Sequence, residues 1–109
     1  MDNTSLSQEV THLHADICSA LADPHRILIL YALSERNLNV SDLAVEIGVS
    51  QPTASRHLKI LRERGLVNPE RQGTSVVYHV TDKRLIDALD LLRTVLRDRI
   101  AHRASLIEE

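Results

Sequence analysis

Between Ile47 and Gln51 the chain carries a helix stop and a helix start with a single residue between them. Gly48 is free to take the positive φ that closes a helix. Ser50 is a strong N-cap, and Pro52 follows in the first turn, where its missing N–H costs nothing. Apolar periodicity continues on both sides. Leu43, Ala44 and Ile47 mark the inward side of a short helix over 42–47. Ala54, Leu58 and Leu61, spaced i, i+4, i+7, mark the inward side of a longer one over 51–64. Two helices joined this tightly form a helix-turn-helix.

The remaining elements fall around that pair. Leu6, Val10, Leu13, Ile17 and Leu21 predict one amphipathic helix over 5–21. Asp23 and Pro24 supply a cap and a first-turn proline for a second helix running through Leu33. It is apolar on more than one face, so it belongs in the middle of the fold. Residues 34–39 read as a polar loop, and Ser41 as the N-cap of the third helix. Gly65 ends the fourth. Leu66-Val67 and 75–80 read as two strands, with Arg71-Gln72-Gly73-Thr74 as the hairpin tip. Asp82 starts a last helix over about 83–104, and 105–109 is expected to fray. The expected fold is mostly α with a β-hairpin wing, in the order α-α-α-α-β-β-α.

The last helix carries more apolar surface than one packing stripe requires. Leu85, Leu89, Leu92 and Leu96 form one row; Ile86, Ala88, Leu91, Val95 and Ile100 widen it. A broad apolar face on a terminal helix suggests a partner surface, and the first helix offers a second apolar stripe. The expectation is a homodimer through the first and last helices.

Composition narrows the function. With 109 residues, 43% of them hydrophobic and 26% charged, the chain fits one soluble globular domain over 1–109. Phe and Trp are absent and Tyr occurs twice, so no aromatic platform for single-stranded nucleic acid is available. One cysteine excludes an internal disulfide or a zinc site built on cysteine pairs. No apolar run approaches the roughly 20 residues of a membrane span. The first ten residues show no secretion signal, so the reducing cytoplasm is the expected compartment. No glycine-rich phosphate loop and no nucleophile–base spacing is present, and an enzyme is not expected.

The net charge is −2, but it is unevenly spread. Residues 50–84 hold seven Lys/Arg against three acids, a local +4, and the rest of the chain six against twelve, a local −6. Local potential, not the sum, governs polyanion binding. Charge alone also fits a solvated basic helix. The fourth helix adds what a duplex reader needs: an apolar back and a polar, basic front. Gln51, Thr53, Ser55 and Arg56 are placed at base edges or adjacent phosphates, with Arg56 suited to guanine and Gln51 to adenine. His57 and Lys59 are assigned to phosphate or packing contacts. Ser50 caps the helix and can reach a phosphate. Arg71, Gln72 and Thr74 would reach the flanking backbone or minor groove. A winged-helix protein-interaction module that never touches DNA is the competing class, and the local +4 speaks against it.

The stretch Ala20-Leu21-Ala22-Asp23-Pro24-His25-Arg26-Ile27-Leu28-Ile29-Leu30 resembles the opening of the ArsR/SmtB family of bacterial repressors. The likeness continues through Val40–Ala44, Ser50–Leu61, Gly65–Val67 and Arg71–Tyr78. It implies a winged helix-turn-helix homodimer that binds palindromic operators as a repressor and is released by an inducer.

Many members of that family sense metals, but this chain departs from their sites. Where one type places Cys-x-Cys before Asp-Leu, here Asn39-Val40-Ser41 precede Asp42-Leu43. Where another begins with Asp-x-His on the last helix, here Asp82-Lys83-Arg84 stand, and Val95 and Asp98 occupy the later positions. A two-cysteine polysulfide sensor needs one thiol more. No cofactor is therefore expected, and His12, His14 and Cys18 remain the candidates for a metal- or redox-gated repressor. His14 and Cys18, at i and i+4, could supply four ligands across a dimer, and Cys18 could pair with its copy.

Overall fold

A computed structural model of the chain describes residues 3–108. The elements are α1 (Asn3–Leu13), a π turn (His14–Cys18), a 3-10 turn (Ala20–Ala22), α2 (Pro24–Glu35), α3 (Val40–Ile47), α4 (Gln51–Glu63), β1 (Val67–Gln72), β2 (Ser75–Val80) and α5 (Arg84–Glu108). The expected order of helices and hairpin is present.

The caps explain the boundaries. Asp23 Oδ1 accepts from the His25 N–H at 2.8 Å and opens α2. Gly48 takes φ +73°, and its N–H reaches the Val45 carbonyl at 3.2 Å while the Val49 N–H reaches that of Ala44 at 3.0 Å. These two bonds are a Schellman motif, which satisfies the carbonyls left open at the end of α3. Ser50 Oγ accepts from the Thr53 N–H at 3.2 Å and starts α4. Ser41 does not cap α3. Asn39 does, its Oδ1 accepting from the Asp42 N–H at 2.8 Å, and the helix begins at Val40. The Ser41 hydroxyl instead donates to Gln51 Oε1 at 3.2 Å and joins the starts of α3 and α4.

The expected single helix over 5–21 is not uniform. After Leu13 the ladder widens, so that the Ser19 N–H bonds the His14 carbonyl five residues back at 2.9 Å, and then tightens over Ala20–Ala22. At the other end, α5 continues to Glu108 and includes residues 105–108 of the segment expected to fray; Glu109 lies outside the described residues.

The hairpin is longer than expected. β1 runs to Gln72, with Val67 opposite Val80, Pro69 opposite Tyr78, Arg71 opposite Val76 and Gln72 opposite Ser75. Arg71 and Gln72 are therefore strand residues, and the connection is only Gly73-Thr74, with Gly73 at φ +62°. Pro69 fits because of Tyr78. The Tyr78 N–H and carbonyl are turned away from β1 and bond Leu38, at 2.8 and 3.4 Å. Pro69 thus occupies a pair that exchanges no ladder bonds, where its missing N–H is not required. Leu38, inside the expected polar loop, is buried and forms a one-residue bridge to the sheet.

The core centres on α2, through Ile29, Leu30 and Leu33, with Leu43 of α3, Leu58 and Leu61 of α4, Val67 and Val80 of the hairpin, and Leu89 of α5. Tyr31 fixes the first half of α5: its hydroxyl donates to Asp90 Oδ1 at 2.6 Å, and the Arg93 guanidinium lies 5.2 Å from its ring centroid. Beyond Asp90 the helix leaves the body, and Leu91, Leu92, Val95, Leu96 and Ile100 are all exposed. Leu6, Val10 and Leu13 on α1 are exposed as well. The radius of gyration, 17.0 Å, exceeds the roughly 13 Å of a compact chain of this length. Two apolar arms therefore project from a small body.

Candidate nucleic-acid interface

The outward face of α4 follows from its inward one. Ala54, Leu58 and Leu61 are buried against the core, which turns Gln51, Ser55, Arg56, Lys59 and Arg62 to solvent. Arg56, Lys59 and Arg62 make no ion pair among the described residues. Three cations are thus spread along one helix, from Arg56 to Arg62 in its last turn, without intramolecular ion pairs, and the capped N-terminus at Ser50 separately favours anions. Thr53 is half-buried; its Oγ1 accepts from Ser50 Oγ at 2.8 Å, which stiffens the first turn. Gln51 is exposed, with its oxygen engaged by Ser41. Arg71, Gln72 and Thr74 are exposed on the hairpin.

His57 departs from the outward set. It is 7% exposed and faces α2. Its position three residues after Ala54 and four before Leu61 puts it on the packed stripe. The sequence reading left phosphate and packing both open for it; its burial supports packing and removes it from the DNA face. Arg26 Nη1 lies 3.4 Å from His57 Nδ1, a spacing at which the guanidinium donates and the ring nitrogen accepts. Arg26 is itself held from the other side, its Nε donating to the Ala20 carbonyl at 2.6 Å and its Nη2 to that of Ser19 at 3.4 Å. Burial pushes the His57 pKa below its ordinary value; the nearby Asp23 carboxylate opposes this, and Arg26, His25 and Arg56 reinforce it. The Asp23 carboxyl is held below its ordinary value chiefly by the His25 N–H it accepts.

Within one protomer, His12, His14 and Cys18 form no group of three ligating side chains among the described residues. His12, His14 and Cys18 are exposed on α1 and the π turn. The group of three metal-ligating side chains that does come together among the described residues is Asp23, His25 and His57. Sequence reading missed it because His57 lies 32 positions beyond His25 and only the packing of α4 on α2 joins them.

Residues 23–69 match the profile of the bacterial regulatory protein ArsR family. A biofilm growth-associated repressor of Xylella fastidiosa is 31% identical over 81 residues, which cover 74% of this chain and 71% of the relative. The chain belongs to the ArsR family. The HTH-type transcriptional regulator NmtR of Mycobacterium tuberculosis is 42% identical to this ArsR-family chain over 76 residues, 70% of the chain. The chain spans 63% of that regulator's own length, a little under two thirds. Among solved structures, a homodimeric winged helix-turn-helix DNA-binding domain from Mycobacterium bovis superposes with a TM-score of 0.78 at 25% identity. That match covers 94% of this chain and 93% of the other. The fold is accordingly the winged helix-turn-helix of ArsR-family regulators, with α3–α4 as the helix pair and β1–β2 as the wing. Among the described residues, no helix is long and apolar enough to cross a membrane.

Proposed function

We propose that residues 1–109 act as one DNA-binding unit of a transcriptional repressor, working as a homodimer on a palindromic operator. The observation that carries this is the face of α4: a rigid apolar back in the core, and Arg56, Lys59 and Arg62 unpaired on the front. Gln51, Ser55 and Arg56 meet base edges in the major groove, with Arg56 suited to the paired acceptors of guanine. Ser50, Thr53 and Lys59 grip the phosphates beside them, and Arg71, Gln72 and Thr74 on the wing hold the flanking backbone. The exposed apolar stripes of α1 and α5 pair with those of a second copy. Family membership and the homodimeric Mycobacterium bovis domain support the same reading. The unpaired cations on that helix, within a local charge of +4 over residues 50–84, favour a polyanion over a protein partner.

Counterion release gives a direct test. Each protomer offers Lys59, Arg62 and Arg71 to the phosphates, so a dimer can neutralise about six of them. Duplex affinity, read by fluorescence anisotropy, is expected to fall with salt at a log–log slope of about −5. A slope near zero would overturn the proposal.

A further inference from the structure

Behind α4 lies a set of ligating side chains that DNA reading does not use. Asp23 caps α2, His25 sits in its first turn, and His57 lies mid-way along α4. One carboxylate oxygen and two ring nitrogens from these residues lie within 4.8 Å of one another. The two imidazoles stack with centroids 5.6 Å apart and planes 30° from parallel. His25 Nδ1 is 3.4 Å from Asp23 Oδ1.

We propose that Asp23, His25 and His57 form a binding site for a divalent first-row transition metal of the zinc, cobalt and nickel class, tying the start of α2 to the middle of α4. The donors select the class. Two imidazole nitrogens and one carboxylate suit borderline ions; soft ions ask for thiolate, and calcium or magnesium for an all-oxygen shell. Three protein ligands leave a fourth position for water. At metal–ligand bonds near 2.0–2.1 Å, tetrahedral ligand atoms stand about 3.4 Å apart; His25 Nδ1 and Asp23 Oδ1 already have that spacing, and the remaining separations, within 4.8 Å, have to shorten. His25 can make that movement because its side chain is 48% exposed. His57 is fixed by its burial and sets the position of the metal.

Arg26 opposes the ion. Its Nη1 lies 3.4 Å from His57 Nδ1 and 3.9 Å from Asp23 Oδ2. A dication cannot settle there while the guanidinium stays in place. The metal therefore replaces the contact from Arg26 to α4, and Arg26 keeps its bond to the Ala20 carbonyl. Occupancy exchanges the Arg26–His57 hydrogen bond between α2 and α4 for a metal tether between the same two helices. Removing the guanidinium should accordingly tighten metal binding.

The test is a cobalt(II) titration of the metal-free full chain, followed by the visible absorption of the bound ion and reversed by zinc. One cobalt per protomer is expected. His25→Ala should weaken binding at least tenfold while leaving the thermal midpoint of the metal-free protein unchanged, because the side chain is exposed. Arg26→Gln should strengthen binding several-fold. The double variant His14→Ala/Cys18→Ser should bind as the natural chain does. Absence of the cobalt spectrum, binding untouched by His25→Ala, or binding lost in the His14/Cys18 variant would each overturn the proposal. None of these readouts involves DNA, so the outcome is separable from that of the repressor proposal.

Discussion

Replacing Arg56 and Lys59 together by alanine is expected to lower operator affinity at least 100-fold at moderate salt, with no change in the fold. Each protomer of a dimer loses both contacts. A bidentate arginine–guanine pair is worth about 1–3 kcal/mol of discrimination. A phosphate contact contributes through counterion release. The single variants should differ in kind. Arg56→Ala should flatten the preference at one base position of each half-site. Lys59→Ala should weaken binding to all sequences alike and reduce the salt slope by about 2, one unit per protomer. Both side chains are exposed and outside the core, so circular dichroism and the thermal midpoint should match those of the natural chain. Unchanged operator affinity in the double variant would refute the assignment of α4.

The second large effect concerns assembly. Leu92 and Leu96 lie on the part of α5 beyond the Tyr31–Asp90 anchor, exposed by 62% and 56%. Changing both to glutamate places four unpaired carboxylates in a two-fold interface. Sedimentation should then report a monomer at micromolar concentration. Duplex affinity should fall at least 100-fold, since a single α4 keeps only half of the phosphate contacts. Neither leucine belongs to the buried core, so the isolated protomer should retain its helical spectrum. A dimer surviving in this variant would move the interface away from α5.

Where local chemistry decides, the residues announce the structure. Gly48 and Ser50 terminate and start helices by their own backbone and side-chain preferences, and the turn stands where they put it. The packed stripe of α4 followed from spacing alone. That spacing also contained His57, whose imidazole disguised a core position. Other features depend on partners distant in sequence. Asn68 to Gln72 carries no strand pattern and contains Pro69; it is extended because β2 pairs with it and Tyr78 turns its backbone polar groups to Leu38. The π turn at His14–Cys18 has no breaker to mark it. Asn39 and Ser41 are both good caps, and only the extended backbone at Asn39, with φ −78° and ψ 170°, selects the former. The Asp23–His25–His57 cluster has no sequence signature, because helix packing creates it.

The most direct test of duplex reading is selection of bound DNA from a random pool by the full-length dimer. Two α4 helices related by a two-fold axis should enrich inverted repeats, with half-site centres about one helical turn, roughly 34 Å, apart or a multiple of it. A recovered pool indistinguishable from the input, or one enriched in a single asymmetric site, would contradict a symmetric pair of groove-reading helices.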